Sequence, residues 1–335
     1  MKPPLSAKHY LDGIRKGDRV ILARAISLAE STRITHRKLL MKLLQSLYKH
    51  LPGNTIRIGI TGLPGAGKST FIEAFGQYLT AQGKRVAVLT VDPTSPLNKG
   101  SILGDKTRMN ELARNPLAFV RPSASGHAAG GVARHLRESV WLCEAAGYEV
   151  ILLETVGVGQ SETAVKNMTD FFMLLTLAGA GDELQGIKRG IMEMADAVVI
   201  TKADGDNVQP ARRAQAVVQQ ALHLLQQSES GWMPRALTCS ALEGRGLEAI
   251  WNMVQDYFEQ TRKSGYYLQN RLEQQKAWLR DLVHNDLQQW MQRTLHVERM
   301  LKKAEQQVAA GQALPQQAAN AVMKELRKKL KTGKK

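Results

Sequence analysis

The stretch Gly62-Leu63-Pro64-Gly65-Ala66-Gly67-Lys68-Ser69-Thr70 constrains the fold more than any other part of the chain. It fits the pattern G-x-x-x-x-G-K-[ST], and both flanks supply the context that this pattern needs. Before it, Ile56-Arg57-Ile58-Gly59-Ile60 alternates and is β-branched, as a strand should be. After it, Phe71-Ile72-Glu73-Ala74-Phe75 opens a helix. Gly62, Gly65 and Gly67 let the backbone curl, so that successive N–H groups point at phosphate oxygens beside a helix N-terminus. In such a loop Lys68 reaches the β- and γ-phosphates, and the Ser69 hydroxyl ligates Mg²⁺. The pattern predicts nucleotide binding at the end of a strand.

The rest of the chain supplies the sheet for that strand. Residues before about Asn54 read as helical, because Leu39, Leu40, Leu43, Leu44, Leu47 and Leu51 recur at three- and four-residue spacing. Pro52-Gly53-Asn54 ends this segment with turn chemistry. Further strands are expected at Arg85–Val91, Leu117–Val120, Tyr148–Leu153, Phe171–Leu175 and Asp196–Ile200, with a helix from about Val132 to Ala146. Apolar strands alternating with helices predict an α/β fold, a mostly parallel sheet covered on both faces. Beyond about Gly246 the pattern is helical throughout. Leu279, Val283, Leu287, Met291 and Leu295 form an i,i+4 ridge flanked by Trp278, Leu282 and Trp290. After a break at Leu314-Pro315, Ala319, Val322, Leu326 and Leu330 resume it. Such a stripe needs a covering surface, either its own domain or a second copy. The expected organisation is a helical extension over 1–54, a nucleotide domain over 55–262 and a helical arm over 263–335.

Three shorter motifs narrow the nucleotide. Thr201-Lys202-Ala203-Asp204 matches [NT]-K-x-D after a strand. A carboxylate at Asp204 accepts from both N1–H and the exocyclic amine of guanine, whereas adenine would leave it unpaired. The Lys202 stem can lie against the base. Ser240-Ala241-Leu242 resembles the S-A-[LK] loop whose backbone N–H groups meet guanine O6, a weak tripeptide that gains meaning from its order in the chain. Glu154-Thr155-Val156-Gly157 takes the place of a D-x-x-G switch with Glu for Asp, so Glu154 can hold Mg²⁺ through a water and the Gly157 N–H can touch the γ-phosphate. Asp92 and Asp105 are the other acids near the expected metal.

Composition adds limits. A net charge of +16 attracts acidic partners, but aromatics are only 5% of the chain and no aromatic-and-basic RNA motif occurs, so nucleic-acid recognition is not expected. Cys143 and Cys239 sit in apolar stretches with no metal or disulfide spacing, and read as buried small hydrophobes. No apolar run approaches the ~20 residues of a membrane helix, and a cytoplasmic location is the simplest expectation.

Two longer runs carry a family resemblance: Glu154-Thr155-Val156-Gly157-Val158-Gly159-Gln160-Ser161-Glu162, and Gly181-Asp182-Glu183-Leu184-Gln185-Gly186-Ile187-Lys188-Arg189-Gly190. Together they resemble the methylmalonyl-CoA mutase-associated GTPases, a family that includes bacterial proteins once labelled arginine/ornithine transport ATPases or kinases. The resemblance spans nearly the whole chain. It implies a homodimeric, GTP- and GDP-binding, GTP-hydrolysing protein of the metallochaperone class, which serves an adenosylcobalamin-dependent methylmalonyl-CoA mutase by gating cofactor loading. It also implies Asp92, Asp105 and Glu154 around Mg²⁺, and an additional switch loop from about Ala178 to Lys188 containing Gln185. Leu63 departs from related ATPases, which carry a second signature lysine there, and His127 matches no family role. The competing reading, an ATPase or kinase energising basic amino-acid uptake, is disfavoured by the guanine preference of Asp204.

Overall fold

The computed structural model describes residues 5–91, 109–122, 131–155, 160–179, 189–224, 228–293 and 295–332. They form two compact units, Met1–Gln274 and Gln275–Lys335.

The first unit opens with three helices, α1 (Ala7–Arg15), α2 (Arg19–Ala29) and α3 (Ile34–Tyr48). Side chains start the first two: Ser6 accepts from the His9 N–H, and Asp18 from the N–H groups of Val20 and Ile21. The αβ alternation then runs β1 (Ile56–Gly62), α4 (Lys68–Ala81), β2 (Val86–Val91), α5 (Asn110–Arg114), β3 (Ala118–Pro122), α6 (Gly131–Ala145) and β4 (Val150–Thr155). It continues with α7 (Gln160–Lys166), β5 (Phe171–Leu177), α8 (Arg189–Met194), β6 (Ala197–Thr201), a 3₁₀ turn (Gly205–Asn207), α9 (Val208–His223), β7 (Arg235–Thr238) and α10 (Leu247–Lys263). The seven strands pair in the order β3-β2-β4-β1-β5-β6-β7, and every pairing is parallel. All their C-terminal ends therefore share one edge of the sheet, and β1 lies between β4 and β5.

Both faces of this sheet are covered, which is why β4 reads as an unbroken apolar run. Val150 and Leu152 face Phe71 and Phe75 of α4 and Tyr257 and Phe258 of α10. Ile151 and Leu153 face the opposite layer, Leu22, Leu40 and Leu43 from the N-terminal helices with Leu136 and Val140 of α6. The N-terminal helices are thus one wall of the nucleotide domain's core. Cys143 and Cys239 are buried and unbridged.

Helix α11 (Tyr266–Arg293) begins in the first unit, and its first three turns are fastened to the N-terminal ends of β1 and β5. The Tyr267 hydroxyl donates to Thr55 O (2.8 Å) and Gln274 Nε2 to Thr169 O (2.7 Å). Arg271 grips Asp170 through Nε and Nη2 at 2.9 and 2.8 Å. These contacts carry the first unit to Gln274, beyond the boundary at 262–263 expected from the helical pattern.

In the second unit, α12 (Leu295–Ala309) and α13 (Pro315–Thr332) close on Val297, Val322 and Leu326, with Met291, Met300 and Ala304 beside them. Pro315 is the first residue of α13, where its missing N–H costs nothing, so it starts a helix as well as ending the previous pattern. Ala318, rather than Ala319, is buried with Val322 and Leu326, a one-residue shift from the expected stripe. Along α11, Leu279, Val283, Leu287 and Trp290 are 45–63% exposed. No helix among the described residues is long and apolar enough to cross a membrane.

Candidate nucleotide site

The phosphate-loop residues follow β1 at the C-terminal edge of the sheet, where α/β folds bind ligands. Gly62 runs so close to β5 that a Cβ there would collide with the Leu175 carbonyl oxygen. Gly67 caps α4 in the left-handed region, φ 76°, a conformation that a side chain would strain. Pro64 and Gly65 are exposed at the crown of the loop, and Thr70 is exposed on α4, while Ala66 is buried beneath. Leu63 packs on apolar cores from both sides of the sheet. Lys68 Nζ turns back onto the loop and donates to Gly62 O (2.9 Å) and Leu63 O (3.2 Å). Burial pulls its pKa below the usual lysine value, against the raising effect of the nearby Glu154 and Glu162 carboxylates.

Adjacent strands bring the remaining groups in. Ile60 of β1 is in register with Glu154 of β4, and Ser69 Oγ donates to Glu154 Oε1 at 2.9 Å. One residue on, the Thr155 and Thr61 hydroxyls are 2.9 Å apart, bracing the two strand ends. Hydroxyl and carboxylate are the hard oxygen donors that Mg²⁺ takes together with phosphate oxygens and waters. With Lys68 alongside, this donor set fits a magnesium-bound triphosphate.

The second loop meets the first directly. Thr201 Oγ1 lies 2.7 Å from Ala66 O and 3.0 Å from Thr176 O, joining the end of β6 to the phosphate loop. The Lys202 stem passes over Gly67, where an added Cβ would be 3.9 Å from Lys202 Cε. Asp204 is held from β7: Ser240 Oγ donates to Asp204 Oδ2 at 2.7 Å, and Ser240 in turn accepts from the Glu243 N–H. Backbone bonds from Cys239 N to Ile200 O and from Ala203 N to Cys239 O keep the two loops side by side. Ala241 is half-buried and Leu242 exposed at the loop's tip.

The structure thus gathers Gly62 to Thr70, Glu154, Thr201, Lys202, Asp204 and Ser240 to Leu242 at one edge. Asp92, Asp105, His127, Gly157, Gln185 and Lys188 lie outside the described residues. Two residues escaped the sequence reading. Glu162 on α7 is 3% exposed, and its charge acts on Lys68; it ends the long run beginning at Glu154, which was its only signal. Asn207 donates to Lys202 O, and no pattern marks it.

The family model described as methylmalonyl Co-A mutase-associated GTPase MeaB matches residues 22–295. The chain belongs to this family. Among similar proteins, GTPase ArgK of Escherichia coli (strain K12) is 51% identical over 274 residues, 82% of each chain. The methylmalonic aciduria type A homolog, mitochondrial, of Mus musculus is 45% identical over 321 residues, 93% of this chain and 77% of that one. The crystal structure of an LAO/AO transport system kinase superposes with TM-score 0.78 at 37% identity, covering 98% of this chain and 99% of the other. As a MeaB-family protein the chain is a GTPase, and its all-parallel α/β sheet is the one expected for a phosphate-loop GTPase.

Proposed function

We propose that this MeaB-family GTPase is a metallochaperone-type attendant of an adenosylcobalamin-dependent methylmalonyl-CoA mutase, and that its nucleotide state gates cofactor loading. The observation that supports it most is the joining of the phosphate loop to the Asp204 loop through Thr201 and Ala66, in a chain whose family description names the mutase.

In this reading the loop N–H groups from Gly62 to Thr70 bind the phosphates of GTP or GDP, and Lys68 leaves its own loop carbonyls for the β- and γ-phosphates. Ser69 and Glu154, with Asp92 and Asp105, hold Mg²⁺, which neutralises charge on the phosphates when bound. Asp204 accepts from the guanine edge, the Lys202 stem supports the base, and Ser240 orients the carboxylate. Backbone N–H groups at Ala241 and Leu242 meet guanine O6, and that of Gly157 meets the γ-phosphate. Gln185 and Lys188 belong to a loop that reports nucleotide state to the mutase. The exposed stripe of α11 pairs two copies into a homodimer, and the protein acts in the cytoplasm.

The transport-kinase reading draws on the name of one structural relative, but adenine would offer Asp204 neither of the N–H donors that guanine does. The deciding experiment measures GTP hydrolysis with and without methylmalonyl-CoA mutase. The mutase should accelerate hydrolysis, and Lys188→Ala should lose that acceleration while binding GTP normally. No acceleration of the parent protein overturns the mutase assignment. ATP hydrolysis stimulated by arginine or ornithine would favour the alternative.

A further inference from the structure

Lys202 has φ 54°, and it is the one non-glycine residue with positive φ among the described residues. The left-handed region is unfavourable for a residue with a Cβ, and such a conformation persists only where its surroundings hold it. Before Lys202 the hold is Thr201, tied to Ala66 and Thr176. After it the hold is Asn207. The Asn207 side-chain amide donates to Lys202 O at 2.6 Å, and the Asn207 backbone N–H donates to Asp204 O at 2.9 Å.

One residue therefore clasps both ends of the segment that carries Asp204. The 3₁₀ turn Gly205–Asn207 folds back so that Asn207 closes a ring over residues 202–207, while Ser240 and Arg245 attach from β7's side. Arg245 Nη2 donates to Ala203 O at 3.3 Å and its guanidinium pairs with Glu243. The geometry makes a functional demand as well as a structural one. A carboxylate that accepts two parallel N–H groups must be held in plane with them, and a small rotation of its backbone forfeits one bond.

We infer that Asn207 is a positioning residue for base recognition: by fixing the Lys202 carbonyl and its left-handed backbone, it sets how well Asp204 reads the guanine amine and how long nucleotide stays bound. This rests on Asp204 as the reader of guanine, and the test separates the two statements. Asn207→Ala removes the donor; Asn207→Asp keeps the shape but turns an acceptor toward the Lys202 carbonyl. Affinities for GDP and for IDP, which lacks the exocyclic amine, are measured by calorimetry on the full chain. Dissociation of a fluorescent GDP is followed by stopped flow. Asp204→Asn serves as reference.

Asn207→Ala should release GDP about tenfold faster, the factor for one hydrogen bond of ordinary net worth. Asn207→Asp should be worse, both should shrink the GDP-to-IDP preference, and the loss in turnover should appear in KM rather than kcat. A role in fold stability alone would weaken GDP and IDP equally in both Asn207 variants and leave their ratio at the parent's value; that result overturns the inference. If Asp204→Asn collapses the GDP-to-IDP preference and the Asn207 variants leave it intact, only the Asn207 inference fails. If Asp204→Asn leaves the preference intact, the guanine reading fails and the inference goes with it.

Discussion

Replacing Arg271 by Met removes one of two guanidinium groups from a cluster in which two carboxylates are almost fully buried. Arg271 donates to both oxygens of Asp170, at 2.9 and 2.8 Å, and to Thr55 O at 2.8 Å. Its Nη1 also lies 3.5 Å from Glu144 Oε1. Arg57 satisfies Glu144 at 2.8 and 2.9 Å, so Glu144 keeps a cation when Arg271 is lost. Asp170, with 2% of its side chain exposed, keeps only the Arg57 backbone N–H at 2.9 Å among these contacts. Breaking a buried pair in this way costs about 3–5 kcal/mol, because a charge remains without compensation. Arg271 is 14% exposed and Asp170 retains a donor, so the lower part of that range applies, about 3–4 kcal/mol. Urea unfolding followed by circular dichroism measures it, on Arg271→Met, Asp170→Asn and the double variant. The double variant should recover much of the single loss, since it no longer strands a carboxylate. A loss below about 1 kcal/mol in Arg271→Met, or simple additivity in the double variant, would refute the reasoning.

The acid limb of stability should depend on Glu138. Burial alone would raise its carboxyl, but the neighbouring His135 ring, 3.9 Å away, and a hydrogen bond from Arg37, with the charges of Arg37 and Arg134, bring its pKa below the ordinary 4.5. A depressed carboxyl contributes stability above pH 4.5, and this is lost as the pH falls through the lower folded value. Arg37→Met should therefore move the acid-unfolding midpoint upward, as read by tryptophan fluorescence; an unmoved midpoint refutes it. Truncation after Gln274 should leave a folded, GTP-binding monomer while the full chain is dimeric by light scattering. Cutting at 265 should be far less tolerated, because it also removes Tyr267 and Arg271. A monomeric full-length chain would end the dimer proposal.

Much of the sheet was legible because a parallel sheet covered on both faces writes itself as unbroken apolar runs, as in Val150–Leu153 and Phe171–Leu175. The strand ends were less so. Tyr148 reads as part of β4, yet it is buried under the Arg85 guanidinium, 4.8 Å from its ring centroid, ahead of the first paired residue. The loops at Gly62–Thr70 and Thr201–Asp204 could be placed at strand ends because their patterns are local, a few residues at fixed spacing. Neither the Arg57–Glu144–Arg271–Asp170 cluster nor the Asn207 clasp carries such a signal. The first joins residues far apart in the chain through tertiary packing alone, and the second depends on how tightly a 3₁₀ turn closes. The ridge on α11 was visible as periodicity, but periodicity is silent on what covers it.

Gly62 is required by its neighbour strand, whatever the proposed phosphate site asks of it. Around Gly65 no described residue lies within 4 Å of where a Cβ would sit, so its left-handed φ of 81° is what restricts it there. At Gly62 a side chain of any kind would strike the Leu175 carbonyl and pry β5 away from β1, opening the middle of the sheet. The two glycines would thus have different fates in a descendant that had abandoned nucleotides. Gly65 would drift, free to become Asn or Asp, residues that tolerate its backbone. Gly62 would persist for architectural reasons alone, the fossil of a phosphate site in a protein no longer using one.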